Sequence, residues 1–273
     1  MTLSIITINR NNATGLEKTM RSVAAQTYKD FEYVIVDGAS TDGSVEVIKK
    51  LELEFAHLKW VSEPDSGIYN AMSKGIRMAS GDYIQILNSG DILAASDVTE
   101  RMLTVLEKQK SGIDFLYGNM IKKDYATGKV TGKSGQVEYS LRQYYSSTMN
   151  HDCCYIRRDL FDAYGLYDEK LKIVSDWKWF LQAIGLGNVK PVYVDIDVTI
   201  FDTSGISESN LDLRNKERRQ VLEEVLPPAI LADYDAHAFH VSQYQRLKRY
   251  HLWPIAHFME RVLFKLNKWN VLK

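Results

Sequence analysis

The sequence predicts an α/β fold: a mainly parallel central sheet flanked by helices, with a helical extension at the C-terminus. Three observations carry this expectation. Tyr83, Ile84, Ile86 and Leu87 form a short apolar run that stops at Asn88-Ser89-Gly90-Asp91, the pattern of a buried strand ending in a polar turn. Ahead of it, strand-like runs alternate three times with helix-like ones, as parallel strands joined by crossover helices require. Ile68, Ala71, Met72, Gly75, Ile76 and Ala79 fall at offsets 0, 3, 4, 7, 8 and 11, the clearest helical face in the chain.

Taken in order, Leu3–Ile8 is a β-branched run followed by polar Asn9–Asn12. Leu16, Met20, Val23 and Ala24 then share a helical face, with Asn12 or Thr14 as N-cap. Phe31–Val36 is a second strand, ending in the turn residues Asp37-Gly38-Ala39-Ser40-Thr41-Asp42-Gly43 ahead of a helix carrying Val47, Ile48 and Leu51. Leu58–Val61 is a third strand, closed by Glu63-Pro64-Asp65-Ser66-Gly67. The helix that follows takes Asp65 or Ser66 as N-cap and Gly81 as its stop. After Asp91 the alternation loosens. Val98–Leu106 reads as a helix, Phe115–Gly118 as a strand and Lys122–Lys133 as a hairpin. Cys153–Ile156 is a strand that His151 introduces, Asp159–Tyr164 a short helix, Ser175–Ile184 a helix, Val192–Phe201 a strand and Leu211–Val225 a charged helix. This divides the chain into one α/β domain over 1–205, with a regularly alternating half (1–91) and a looser half (92–205). A helical extension follows over 206–273.

The 273 residues are 45% hydrophobic and 25% charged with a net charge of −1, a globular composition with no global call for nucleic acid. The balance is uneven, since the last thirty residues hold seven Lys/Arg against one Glu. There Ile255, Phe258, Met259, Val262, Leu263, Leu266 and Trp269 share one face, a basic amphipathic pattern. Such a helix suits either an anionic membrane surface, as a peripheral contact through 255–273, or its own domain or a sister subunit in a homodimer. No apolar run approaches the ~20 residues that span a bilayer, and Met1–Asn9 reads as a strand, not as a leader. Cys153 and Cys154 are adjacent, which disfavours a disulfide and fits a reducing, cytoplasmic compartment.

Four acids stand where this topology puts ligand-facing loops: Asp37, Asp65, Asp91 and Asp176. Each alone reads by default as a helix N-cap. Together they suggest a cleft that holds a nucleotide diphosphate through a divalent cation, with one carboxylate and phosphate oxygens as ligands. An acid such as Asp37 instead suits a base N–H. The first strand runs into Asn9-Arg10-Asn11-Asn12-Ala13-Thr14-Gly15, not Gly-x-Gly-x-x-Gly, which argues against a dinucleotide oxidoreductase. No Gly-x-x-x-x-Gly-Lys-Ser/Thr loop and no Gly-x-Ser-x-Gly elbow occurs, which argues against P-loop phosphoryl transfer and that class of hydrolase.

Ser4-Ile-Ile-Thr-Ile-Asn-Arg-Asn, Asp37-Gly-Ala-Ser-Thr-Asp-Gly, Glu63-Pro-Asp-Ser-Gly-Ile-Tyr-Asn-Ala-Met-Ser-Lys-Gly and Gly81-Asp-Tyr through Asn88-Ser-Gly-Asp, with His151 and Ser175-Asp-Trp farther on, resemble the family 2 glycosyltransferases of GT-A fold. The likeness covers about residues 1–205 and is nearest to bacterial enzymes of surface-polysaccharide synthesis. It implies an inverting transfer of a hexosyl group from a nucleotide-diphosphate sugar, a UDP-sugar, to a glycan or lipid-linked acceptor. It places Thr7, Asn9 and Arg10 at the nucleotide, Asp37 at the uracil edge, and Asp65 and Lys74 in the same cleft. Asn88 and Ser89 would contact the donor, and Asp91 would bind Mn²⁺ or Mg²⁺. Here Asn88 and Gly90 replace acids of the usual Asp-Ser-Asp-Asp, leaving Asp91 as the charged ligand. Asp176 would be the catalytic base, with Ser175 in place of the usual Glu before it. His151 and Trp179 are candidates for phosphate or acceptor contact, Trp177 being on the apolar face of its helix. A sugar nucleotidyltransferase would need a Gly-rich, Arg-containing loop after the first strand, which is absent. The worn metal motif also suits a non-catalytic nucleotide-sugar-binding scaffold, against which Asp176 argues.

Overall fold

In the computed structural model, which describes residues 2–109, 112–125, 127–137, 140–202, 210–249 and 258–259, β1 (Leu3–Asn9) is buried along its whole length. A strand covered by helices on both faces has no polar side to present. β2 (Glu32–Asp37) and β4 (Tyr83–Ile86) flank it and β3 (Leu58–Ser62) lies outside β2, all parallel. The crossovers are α1 (Ala13–Ala24), α2 (Ser44–Leu51) and α3 (Ile68–Met78). Strand order therefore reverses between β1 and β4, and open α/β sheets bind ligands at such a switch point, beyond the strands' carboxyl ends.

Past β4 the sheet becomes mixed. β8 (Cys154–Arg157) is antiparallel to both β4 and β6 (Phe115–Lys123), and β9 (Pro191–Asp202) runs parallel to β6. β5 (Ile92–Leu93) closes the edge against β9, and β7 (Val130–Lys133) forms the expected hairpin with β6. β6 runs on past Gly118 because β9 pairs with it as far as Lys123–Asp202. The helices here are α4 (Val98–Lys108), α5 (Leu141–Ser146), α6 (Asp159–Tyr164), α7 (Ser175–Phe180) and α8 (Leu211–Val225). The six residues of α5 are too few to show a helical period; Ser140 caps it by accepting Gln143 N–H at 3.2 Å. His151–Cys153 is one 3₁₀ turn before β8, and a π turn over Leu181–Leu186 extends α7.

The chain forms two units, Met1–Val221 and Leu222–Lys273, the second containing α9 (Pro228–Arg249). The basic amphipathic pattern over 255–273 lies outside the described residues apart from Phe258 and Met259. Among the described residues no helix is long and apolar enough to cross a membrane.

Asn12 caps α1 as expected, its Oδ1 accepting Gly15 N–H at 3.1 Å. Neither Asp65 nor Ser66 caps α3. Gly67 does, at φ +139°, while Asp65 Oδ1 accepts Gly67 N–H at 2.9 Å. The turn needs a backbone conformation that only glycine adopts readily, and Asp65 braces it from one side.

Glu32 ties the opposite ends of the parallel strands together. Its carboxylate accepts from Ser4 Oγ, from Ser80 N (2.7 Å) and Ser80 Oγ (2.8 Å), and pairs with Lys59. Burial alone would raise its pKa, but Lys59, Ser4 and Ser80 outweigh it and bring the carboxyl from 4.5 to about 2. A value depressed in the folded state contributes stability that is complete above the ordinary pKa and lost as pH falls through the folded one. Glu32→Gln is expected to cost about 2 kcal/mol at pH 7. In urea melts the gap to wild type should close as pH falls from 4.5 towards 2.

Candidate active site

A cleft of about 720 Å³ opens at the switch point, with Asn9, Arg10, Asp65, Asn88–Asp91, His151 and Asp176 among the residues that line it. The strand-end loops are held there by their own polar groups. Asn9 Nδ2 donates to Asp37 Oδ1 at 2.8 Å, and Asp37 also accepts Ser40 N–H (2.9 Å), Ser40 Oγ (2.6 Å) and Ser62 Oγ (2.6 Å). Burial would raise the Asp37 pKa, but the bonds from Ser40, Ser62 and Asn9 bring it below the ordinary value. Arg10 reaches Asp65 at 3.5 Å from an exposed position on the rim.

Three of the expected nucleotide contacts do not line this cleft. Asp37 is fully buried and its carboxylate is taken up by the strand-end loops. Thr7 is also fully buried and shares a hydrogen bond with Tyr33 OH at 3.0 Å. Lys74 turns to Glu63 (2.8 Å) and the Pro64 carbonyl (2.9 Å), stapling the loop before α3. In each case a partner elsewhere in the fold claims the side chain.

The Asn88–Asp91 turn is pinned from beneath by Thr19, a residue that sequence reasoning did not single out. Thr19 Oγ1 accepts Gly90 N–H at 2.9 Å and lies 2.7 Å from the Asp91 carbonyl. Its signal was a polar residue on the buried face of α1, beside Leu16 and Met20. Gly90 takes φ +108°, which brings the turn close to β1's end. Asp91 is 4% exposed and its Oδ1 accepts Asp202 N–H at 3.0 Å. Burial first, and then the charge of Asp152, push its carboxyl well above the ordinary range. The Asp202 N–H and the charge of His151 offset this only in part, so a cation on the cleft side of Asp91 would fit. Among the described residues no three His, Cys, Asp or Glu side chains converge as a protein-only metal site. The donor set thus fits an ion held by Asp91 and completed by substrate oxygens and water.

Asp176 stands in the first turn of α7, its side chain 16% exposed. Tyr69 OH, from α3, donates to Oδ1 at 2.9 Å, and His151 Nδ1 lies 3.0 Å from Oδ2. Burial would raise the Asp176 pKa, yet His151 and Tyr69 outweigh it and the group stays ionised. Burial would likewise lower that of His151, but the bond to Asp176 and the charges of Asp176, Asp152 and Asp91 raise it to about 9. A protonated ring needs an acceptor at Nε2, where Asn88 Nδ2 lies at 3.1 Å. Turning the Asn88 amide over supplies that acceptor and moves Nδ2 into the buried place where Oδ1 has no partner. Asn88, His151, Asp176 and Tyr69 thus form one hydrogen-bonded chain across the cleft floor.

Trp179 is not at the cleft. Its ring is 2% exposed and 4.9 Å from that of Phe161, and Nε1 donates to Gly165 O at 2.9 Å. Trp177 lines the cleft instead, its Nε1 donating to Tyr144 O at 2.6 Å. Residues two apart leave a helix on nearly opposite sides, and α7 is buried around most of its circumference. Hydrophobicity therefore does not reveal which side faces the cleft. Trp179→Ala is expected to cost about 3–5 kcal/mol of stability, read as a fall in melting temperature. A variant of unchanged stability would return Trp179 to the ligand-facing residues.

A sheet reversing at β1/β4, with a cleft lined by acidic and basic side chains at that point, is the arrangement expected of a GT-A fold within the wider class of ligand-binding α/β proteins. The sequence model described as "Glycosyl transferase family 2" matches residues 4–165. An uncharacterized glycosyltransferase of Mycobacterium tuberculosis is 32% identical over 208 residues, spanning 75% of this chain and 76% of that one. A PGL/p-HBAD biosynthesis glycosyltransferase of Mycobacterium bovis is 26% identical over 211 residues, 77% and 80% of the two chains. Among solved structures, a TarS fragment from S. aureus in complex with UDP-GlcNAc superposes with a TM-score of 0.66 at 17% identity, over 86% of this chain and 70% of that one. A mannosyltransferase from Pyrobaculum calidifontis in complex with GDP-Man and Mn²⁺ gives 0.62 at 17% identity, over 87% and 69%. Against the longer TarS structure this chain spans 42% of that chain. The chain belongs to glycosyl transferase family 2, as its strand-end motifs led us to expect.

Proposed function

We propose that this glycosyltransferase is inverting and moves a hexosyl group from a UDP-sugar to a hydroxyl of a glycan or lipid-linked acceptor in cell-surface polysaccharide synthesis. The observation that carries the reading is Asp176, clamped by Tyr69 and His151 in the same cleft as Asn9, Arg10 and Asn88–Asp91. In this reading residues 1–91 bind the nucleotide and 92–205 present the acceptor. The acceptor oxygen bonds to the anomeric carbon as the bond to the diphosphate oxygen breaks. Its proton passes to Asp176, and the nucleoside diphosphate leaves from the opposite face. A general base of this kind contributes about 10²–10⁴-fold. Asp91 would hold the divalent ion, Mn²⁺ or Mg²⁺, which when bound neutralises charge on the leaving diphosphate. The UDP-GlcNAc complex of the similar TarS fragment favours a UDP-sugar, and the GDP-Man complex of the similarly folded Pyrobaculum calidifontis mannosyltransferase names the competing donor.

Thermal shifts with UDP, GDP, dTDP and CDP, each with and without Mn²⁺, test the donor. A nucleotide at 100 times its Kd adds about 2.7 kcal/mol, or roughly 5–10 °C for a chain of this size. A shift with UDP that grows with Mn²⁺ is expected, followed by a product whose anomeric configuration, read by NMR, is opposite to the donor's. A flat panel would favour a non-catalytic scaffold, and retention would overturn the inverting assignment.

A further inference from the structure

Helix α8 follows the last strand of the sheet, yet it is built into the cleft wall. Glu217, 6% exposed, accepts Lys172 N–H at 2.7 Å and Ile173 N–H at 2.9 Å. These amides belong to the segment that leads directly into Ser175 and Asp176, so α8 is locked to the strand of chain that carries the base. One turn apart on the same helix, Arg214 and Arg218 both line the cleft. The Arg218 guanidinium lies 4.8 Å from the centre of the Trp177 ring and its Nη1 donates to Ser146 O at 3.3 Å. Its Nε is buried without a hydrogen-bond partner among the described residues. Two like charges four residues apart on a helix repel, and burying an unsatisfied donor is costly. Asp176 already lies within electrostatic reach of Arg218, and an anion in the cleft would complement the positive charge that the two arginines bring to its wall.

Position separates this pair from the donor contacts. Asn9, Arg10 and Asn88–Asp91 come from the ends of β1 and β4, whereas Arg218 stacks on the residue next to Asp176. In an inverting displacement the nucleophile and the departing diphosphate occupy opposite faces of the anomeric carbon, and the base sits with the nucleophile. We propose that Arg214 and Arg218 form an acceptor subsite for an anionic group, a phosphate or a carboxylate carried near the attacking hydroxyl. The proposal rests on the reading of Asp176 as the base. Planar guanidinium groups suit both anions through paired N–H donors.

The test compares three sugars, methyl glucoside, glucose 1-phosphate and methyl glucuronide, by calorimetric or NMR titration. Each is run on the free protein and with UDP and Mn²⁺ present to fill the donor side. Wild type is expected to bind one of the charged sugars at least about tenfold more tightly than the neutral one. Preference for the phosphate points to a linker phosphate, and preference for the glucuronide points to an acidic glycan. Arg218→Gln and Arg214→Gln should each remove most of that preference while UDP affinity stays within about twofold. Arg218→Lys, which keeps the charge and the stem, should retain part of it and guards against a folding defect in the glutamine variant. Equal binding of all three sugars by wild type would overturn the subsite. So would arginine variants that lose UDP affinity and keep the charged-sugar preference, which would assign the pair to the donor diphosphate. Failure of the base assignment shows separately, as undiminished turnover in Asp176→Asn.

Discussion

Asp176→Asn is expected to lower transfer by about 10²–10⁴-fold while UDP affinity stays unchanged. The substitution is isosteric, so Tyr69 OH still finds an acceptor at Oδ1, and the fold around α7 should persist. What is lost is the lone pair that takes the acceptor proton, and with it the negative charge that holds His151 near a pKa of 9. The variant's imidazole should therefore titrate at a lower pH, visible in the NMR shifts of its ring protons. That second readout separates removal of a base from general damage. If the amide variant turns over at a rate comparable to wild type, Asp176 is not the base. The role would then pass to another cleft group, with His151 first to be tested.

How much of this site was legible beforehand depended on whether each contact lies near in sequence. The strand ends announced themselves, since a β-branched run halted by Asn9-Arg10 or by Asn88-Ser89-Gly90-Asp91 carries both the buried strand and the ligand-facing loop in one local pattern. Asp176 stood out only as one of four acids at expected loop positions, and the resemblance alone suggested it as the base. Tyr69 did not stand out. It lies between Ile68 and Ala71 on the α3 face and looks like core until the fold brings its hydroxyl to a carboxylate 107 residues away. Arg214 and Arg218 were read only as part of a charged helix, because nothing local marks Glu217 as the anchor that ties that helix to the chain before Asp176. Thr7 and Lys74 erred the other way. Their places beside the strand ends suggested ligand contacts, but Tyr33 and Glu63 were better placed to take them. The exchange between Trp177 and Trp179 has the same cause: a helix buried on most sides gives no polar face from which to orient it.

Asp91→Asn is expected to separate function from stability with opposite signs. The amide keeps Oδ1 as an acceptor for Asp202 N–H and removes a buried negative charge that stands near Asp152. In protein treated with EDTA the variant should therefore be more stable than wild type, by about 1–2 kcal/mol, since an uncompensated buried charge costs at least that much. With Mn²⁺ the order should reverse in consequence. Loss of even a supporting residue at a metal site costs about 10–100-fold in affinity, so loss of the charged ligand should weaken Mn²⁺ binding by more than about 100-fold. The metal-dependent part of the UDP thermal shift should vanish with it. Unchanged Mn²⁺ dependence would move the ion to other ligands, and a lower melting point in EDTA would mean that the Asp91 charge is already balanced without metal. The expected pair of results has a physical reason. Asn88 and Gly90 leave the turn with one acid, and burial keeps that acid costly until a cation arrives. A site of this kind binds its metal tightly only when donor oxygens complete the shell, so metal and nucleotide should bind cooperatively. A Mn²⁺ titration with and without UDP would show this as an affinity gain that is the same whichever ligand is added first.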